Sequence, residues 1–299
     1  MFKTFFKVLL GLLLLVLIAA IVLFHSMTFR KSDADIQKQF TDVPVPIQVE
    51  TYQAENKQMR YVLIAKEDSL PLVIFVHGAP GGLDMFLDYF QDPVLLNKVR
   101  MISVDRSGYG YSDFGIVEPS IERQAALIQP ILTQHKNEQA VILVGHSFGG
   151  PIAARLTMDY PDLVDGLILA AAAVDPEHEN IFAVSPLLEK KWLNWIMPKV
   201  WRVTNTEKLT HVEELKKMLP LWKNITIPTT IIQGNADNLV PKENGDFAEK
   251  MLVNAPQNSI RPKDVGHVIP MNNPELISDA ILKHLYHLPP QNSTGFEKQ

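Results

Sequence analysis

Four places in this chain hold polar side chains where reaction chemistry can be built. In "VILVGHSFGG", Val141 to Gly150, five residues of buried-strand character run into Ser147, which is spaced between Gly145 and Gly149 as G-x-S-x-G. At a sharp strand-to-helix turn a serine hydroxyl projects from the top of a sheet. Small flanking residues are needed there because a Cβ would clash with neighbouring elements. A second strand closes at His77-Gly78 in "FVHGAPGG", and Ala79 begins a glycine-rich loop able to aim backbone N–H groups inward. Asp237 follows a strand in "IIQGNADNLVP", and His267 lies in "DVGHVIPMNNPE" before the last helical pattern.

In chain order these are Ser, Asp, His, the order associated with an α/β sheet architecture. In such a set His267 takes the serine proton and returns it to a leaving group, while Asp237 fixes the imidazole tautomer and stabilises the imidazolium. A tetrahedral intermediate needs two N–H donors, and Ala79 and Phe148 are the candidates by position. Asp264 is a rival acid, but only three residues separate it from His267.

The elements that must position these groups follow from periodicity. "IQVETYQ" and "MRYVLIAK" alternate and read as an antiparallel pair. "LVIFVHG", "VRMISVDRSG", "AVILVGHS", "GLILAAAA" and "TTIIQGNAD" then alternate with helical patterns around 84–98, 120–136, 148–159, 243–253 and 274–287. Alternation of this kind predicts an α/β fold, a mostly parallel sheet covered by helices on both faces, with ligands beyond the carboxyl ends of its strands.

With these pieces in place the sequence resembles the α/β-hydrolase superfamily from about Pro46 to Leu288. "DRSGYGYS" is similar to the loop after the family's fourth strand, and "GNADNLVP" is similar to its "G-x-x-D-x-x-x-P", which carries the acid role onto Asp237. The resemblance implies an eight-stranded sheet, a helical cap after the sixth strand and no cofactor. Serine at the elbow, where epoxide and dehalogenating members use aspartate, implies acyl transfer and makes carboxylester hydrolysis the leading expectation, with an esterase- or lipase-like small-molecule substrate. Two alternatives stay open. "HGAPGG" is somewhat similar to the "HGGPG" of proline iminopeptidases, and Glu177, Glu179, Glu189, Glu207, Glu213 or Glu214 could pair with a substrate amine. The other alternative is a non-catalytic ligand-binding module, since some members of the superfamily bind without turnover.

Composition narrows the rest. A chain of 299 residues with net charge −5 and scattered basic residues offers nothing for a nucleic-acid partner. It has no cysteine, so disulfides and thiolate nucleophiles are excluded. No histidine pair has the spacing of a metal site. His146, inside the elbow, is expected to point away from the serine's face and to pack structurally.

The first residues, "MFKTFFKVLLGLLLLVLIAAIVLFHSM", carry an uncharged run from Val8 to Phe24, which Phe5 and Phe6 extend toward bilayer-spanning length. Residues 1–28 are therefore expected to be a single-pass membrane anchor, or else a signal sequence. A linker over 29–45, a hydrolase domain over 46–289 with its cap at about 176–224, and a tail over 290–299 complete the division. A slight basic bias before the span places the amino terminus in the cytoplasm and the domain on the periplasmic or other extracytoplasmic side. All four tryptophans, Trp192, Trp195, Trp201 and Trp222, fall in the cap among Lys190, Lys191, Lys199 and Arg202. That mixture suits a bilayer interface and points to lipid esters as substrates.

Overall fold

The computed structural model describes residues 2–26, 28–181, 183–190, 193 and 197–287. Eight strands form one sheet: β1 (Ile47–Ala54), β2 (Lys57–Ile64), β3 (Leu72–Val76), β4 (Arg100–Asp105), β5 (Val141–His146), β6 (Gly166–Ala170), β7 (Thr229–Ile232) and β8 (Gln257–Ile260). Their spatial order is β1-β2-β4-β3-β5-β6-β7-β8. β1 pairs antiparallel with β2, and β2 antiparallel with β4. Every other pairing is parallel. Parallel strands need crossovers, and those leading into β5, β6, β7 and β8 run through α3 (Ile121–His135), α4 (Gly149–Asp159), α5 (Lys199–Met218) and α6 (Glu243–Met251); α1 (Phe2–Ser26) and α2 (Asp33–Gln39) precede the sheet and α7 (Pro274–His287) follows it.

The central strands are apolar throughout because both of their faces are covered. Leu72, Ile74 and Val76 of β3 point to one core, shared with Ala125, Ile128 and Leu132 of α3 and Ile152 and Leu156 of α4. Val73 and Phe75 point to the opposite core, shared with Phe86, Phe90 and Ile277, Ala280 and Ile281 of α7. The alternation along the strand decides which helix layer each side chain meets.

Three expectations change on the structure. Residues 84–98 do not form one helix. They make 3₁₀ turns at Leu83–Phe86 and Tyr89–Gln91 and a helical turn at Pro93–Leu96. Asp92 caps that last turn through the N–H groups of Val94 and Leu95, and Pro93 sits at its first position, so the chain restarts there rather than continuing. The stretch 29–45, expected as a linker, holds α2, whose Ile36 is fully buried with Phe40 and Val45 in the second core. β8, absent from the strand pattern of the sequence, closes the sheet.

Between β6 and β7 lie a helical turn at Ser185–Leu188, α5, and a 3₁₀ stretch at Leu219–Asn224. Trp222 is buried in the first core, and Trp201 is half-buried on α5. Trp192, Trp195 and Lys191 lie outside the described residues, as does the tail 290–299. α1 is an apolar helix whose Thr4–Ser26 stretch has mean hydropathy 3.0 and no part buried against the rest of the protein. Its length and composition suit a membrane anchor or a signal sequence.

Candidate active site

Ser147 follows β5 directly and has φ of 53°, a left-handed conformation that a non-glycine residue holds only when its surroundings enforce it. Its own N–H donates to Ala170 O at 3.0 Å, and its carbonyl accepts from Gly150 N at 2.9 Å and Ala173 N at 3.1 Å. The glycines of the motif are needed for space. A Cβ on Gly149 would lie 2.1 Å from Val76 O, and one on Gly145 would lie 2.5 Å from Gly149 O. The elbow thus packs against the end of β3 and the His77 carbonyl that follows it.

The structure brings Ser147, His267 and Asp237 together. His267 Nε2 lies 3.0 Å from Ser147 Oγ, and His267 Nδ1 lies 2.8 Å from Asp237 Oδ2. Since a carboxylate only accepts, Nδ1 carries the proton and Nε2 presents a lone pair to the hydroxyl. Asp237 Oδ1 also accepts from Leu239 N and Val240 N, both at 2.9 Å. Burial alone would raise the Asp237 carboxyl. The hydrogen bond and charge of His267, with those two N–H donors, leave it below its ordinary value. The rival Asp264 is exposed. Two loops far apart in sequence are stitched so that this alignment holds: Asn235 N donates to Pro262 O at 2.9 Å and Ala236 N to Val265 O at 3.1 Å.

Ala79 and Phe148 both line a cavity of about 780 Å³ that Ser147 and His267 also face. Among the described hydrogen bonds neither backbone N–H of this pair donates to a protein acceptor. Two free donors beside a nucleophilic hydroxyl and a base are the parts from which an oxyanion site is made. The remaining walls are largely apolar and include Ile181, Val184, Leu188, Met197, Trp201 and Leu239.

Sequence reasoning missed the groups that hold this frame. Arg106, fully buried, donates from Nε to His77 O at 2.9 Å and from Nη2 to Gly78 O at 3.2 Å, fixing the residues just before Ala79. Its charge is met by Glu207 of α5, at 2.7 Å from Nη1, with both side chains wholly inaccessible. Tyr109 and Gln124 donate to the same carboxylate. His77 Nε2 accepts from Arg106 N at 3.0 Å, so its Nδ1 donates to Gly78 O. Burial, then the Arg106 charge, push the His77 pKa well below the ordinary value, which keeps that neutral tautomer. The signal available in sequence was "DRSGYGYS", which contains both Arg106 and Tyr109 but says nothing of a partner 101 residues away.

His146 packs against the base rather than away from the site. Its Nε2 is 2.9 Å from His267 O and the two rings are 5.0 Å apart. Burial, then the proximity of His267, hold its pKa down to about 3, so it is a neutral donor to that carbonyl.

The glutamates considered as amine partners are engaged elsewhere. Glu207 meets Arg106, Glu214 accepts from Ile121 N at the start of α3, and Glu189 accepts from Asn205 and Thr206. Glu213 pairs with Lys216, and Glu177 is exposed. Glu179 alone among the six lines the cavity, and it is paired with Lys208. No group of three or more metal-ligating side chains occurs among the described residues.

A sheet of this order, with a serine at the elbow after its fifth strand and an acid and a histidine beyond its later strands, defines a hydrolase-fold protein. The family model for the alpha/beta hydrolase fold matches residues 71–206, and the chain has the α/β-hydrolase fold. Among solved structures it is similar to lip1 of Acinetobacter baumannii AYE, a protein assigned as a lipase, at 19% identity and TM-score 0.64 over 85% of this chain and 95% of that one. A membrane phospholipase A is similar at 18% identity and TM-score 0.62, over 94% and 98% of the two chains. At these identities the likeness carries the fold. Proline iminopeptidase PfmaB of Pestalotiopsis fici is 24% identical over 288 residues, 79% of this chain and 99% of the relative. Of three other curated relatives the match spans 36%, 29% and 46% of their own lengths, less than half in each case.

Proposed function

We propose that this protein is a membrane-anchored serine esterase that cleaves carboxylic esters with apolar acyl groups through an acyl-enzyme. The observation that carries the reading is the aligned Ser147–His267–Asp237 chain, at 3.0 and 2.8 Å, opening on an apolar cavity. Ser147 Oγ attacks the ester carbonyl carbon as its proton passes to His267 Nε2. The oxyanion is met by the N–H groups of Ala79 and Phe148. Collapse expels the alcohol, which takes the proton from His267. A water then attacks the acyl-serine with the same base, and the carboxylic acid leaves. Asp237 keeps the histidine in the tautomer both halves need.

The cavity favours esters over aminopeptidase substrates, because the one candidate glutamate facing it is already neutralised by Lys208. A free substrate amine would have to displace that ammonium. A binding module without turnover is disfavoured by the intact hydrogen-bond chain.

α1 is placed across a bilayer with the amino terminus in the cytoplasm and residues 46–289 outside it. The segment 176–224 acts as a cap at the entrance. Phe24 of α1 stacks on Trp201 with centroids 6.4 Å apart, and Phe29 meets the same ring edge-on at 6.1 Å. Since Trp201 also lines the cavity, the anchor and the entrance share a wall. Lipidic or other apolar esters of modest size fit this arrangement.

The test is a fluorophosphonate label followed by p-nitrophenyl esters of increasing chain length and a prolyl p-nitroanilide. The expected result is a label on Ser147 that Ser147→Ala abolishes, ester turnover and no anilide turnover. An unlabelled Ser147, or anilide cleavage faster than ester cleavage, overturns the reading. Added protease on intact spheroplasts tests the orientation, and a domain that survives it refutes an outward placement.

A further inference from the structure

One wall of the cavity breaks its apolar character. On α5 the residues Trp201, Thr204, Lys208 and His211 all face the cavity, at spacings of three, four and three that put them on one helical stripe. From Trp201 to His211 the stripe runs about 15 Å along the helix at 1.5 Å per residue. His211 forms its inner end, tilted at 31° against the ring of Phe148, the residue after the nucleophile, with centroids 4.4 Å apart. Lys208 lies one turn further out, and its ammonium pairs with Glu179 from the segment before α5.

This cluster sets one ammonium against one carboxylate and is incompletely bonded. Glu179 is 3% exposed and His211 is wholly buried, with His211 Nδ1 3.2 Å from Glu179 Oε1. Neither Nδ1 nor Nε2 of His211 makes a hydrogen bond. A buried nitrogen left without a partner costs roughly 1–3 kcal/mol, and in native structures such groups are rare enough to need a reason. With the proton of the imidazole on the side of the carboxylate, Nε2 offers a lone pair. Lys208, 22% exposed, keeps ammonium N–H groups beyond the one given to Glu179. The site therefore presents an acceptor and a donor side by side, with the Lys208 charge met by Glu179.

We infer that Lys208, Glu179 and His211 form a subsite for an uncharged, hydroxyl-bearing alcohol moiety bonded next to the scissile ester, as in a glycerol monoester. This deepens the esterase reading and rests on it. A hydroxyl both donates and accepts, so it can satisfy Nε2 and Lys208 together. A phosphate or carboxylate only accepts, and it would lie against Glu179 with a single cation whose charge is already met. Because His211 packs on Phe148, the residue after Ser147, and both line the cavity, the polar group falls on the alcohol side close to the nucleophile. The apolar acyl chain is left to the walls formed by Val184, Leu188 and Met197.

The experiment uses the purified full chain in detergent with three octanoyl esters: of methanol, of glycerol and of glycerol phosphate. Wild-type protein is expected to prefer the glycerol ester to the methyl ester by about tenfold in kcat/KM, the size of one or two hydrogen bonds to charged or polar partners. Because Lys208→Met alone strands a buried carboxylate, the decisive variant is the double Lys208→Met/Glu179→Gln, in which the preference should fall to about one. Lys216→Met, on the exposed side of α5, should keep the tenfold ratio. An undiminished ratio in the double variant, or a glycerol phosphate ester turned over faster than the glycerol ester, overturns the subsite while leaving the esterase reading in place. Failure of wild-type protein to hydrolyse any of the three overturns both.

Discussion

Substituting Glu207 by glutamine tests whether the cap segment and the oxyanion loop are one mechanical unit. Glu207 receives four hydrogen bonds: from Arg106 Nη1 at 2.7 Å, Arg106 Nη2 at 3.2 Å, Tyr109 Oη at 2.5 Å and Gln124 Nε2 at 2.8 Å. The amide keeps the shape but loses the charge and turns one acceptor into a donor that faces Arg106 or Tyr109. Arg106 is then a fully buried guanidinium without a counter-ion, and breaking such a pair costs about 3–5 kcal/mol. That is about a fifth or more of the ~5–15 kcal/mol that holds a typical domain. The same guanidinium fixes His77 O and Gly78 O, so the Ala79 N–H should move as well. A displaced oxyanion donor lowers kcat by about 10²-fold, with KM little affected. Urea denaturation followed by tryptophan fluorescence measures the first effect, and initial rates on a p-nitrophenyl ester measure the second. A variant less than about 1 kcal/mol weaker than wild type, with kcat above half of its value, would refute the coupling.

Ser147→Ala and His267→Ala should each lower kcat by several orders of magnitude while leaving the fold intact, and the double variant should be scarcely worse than either, because the two act as a unit; more than about a tenth of wild-type kcat in Ser147→Ala sinks the assignment. Gly149→Ala should yield no folded protein, since its Cβ would lie 2.1 Å from Val76 O; recovery of an active enzyme would contradict the packing. Stability should fall as pH drops below 6.5, because His146 in the unfolded chain then takes up a proton that the folded protein, with the group at about 3, refuses. Linkage gives about 2 kcal/mol by pH 5, and the lowered Asp237 carboxyl adds a loss in the same direction at still lower pH. A flat denaturation midpoint between pH 7 and pH 5 would count against it. Trp201→Ala, or removal of residues 1–28, should reduce turnover of vesicle-borne esters more than of soluble ones; equal losses would make Trp201 ordinary packing.

What the sequence reveals well is what short-range rules control. The elbow, the hairpin and the five apolar strands were legible because a strand buried on both faces reads as an unbroken apolar run, and because G-x-S-x-G has a steric cause visible at Gly145 and Gly149. Ser147, Asp237 and His267 were legible through their order at strand ends. β8 escaped because Gln257–Ile260 is an edge strand in which exposed and half-buried residues alternate, giving no apolar run to detect. The interval 84–98 misled because its apolar spacing satisfies a helix, while Asp92 and Pro93 break it locally. The stretch 29–45 read as polar because one short helix needs only Ile36 and its neighbour Phe40 to dock.

The least legible part is the set of contacts that cross between distant segments, and it is there that the N-terminal segment acquires its meaning. Composition identifies α1 as an apolar helix of spanning length, but nothing in composition says where the domain hangs from it. Three contacts do. Trp201 takes Phe24 and Phe29 against its ring. Arg30 lies over Tyr111 at 3.9 Å and over Phe114 at 4.5 Å. Arg60 donates to Lys31 O at 3.1 Å and pairs with Asp33 and the buried Asp105. A chain held at Phe24, Phe29, Arg30, Lys31 and Asp33 in succession has little of the freedom of a linker, since each contact fixes the direction of the next. If α1 spans a bilayer, the domain is therefore held against it at one angle, and the side presented is the one where Trp201 lines the cavity. The polar stripe from Lys208 to His211 then lies at the far, inner end, so that an amphiphilic ester entering from lipid would meet apolar walls first and its hydrogen-bonding partners only beside Ser147.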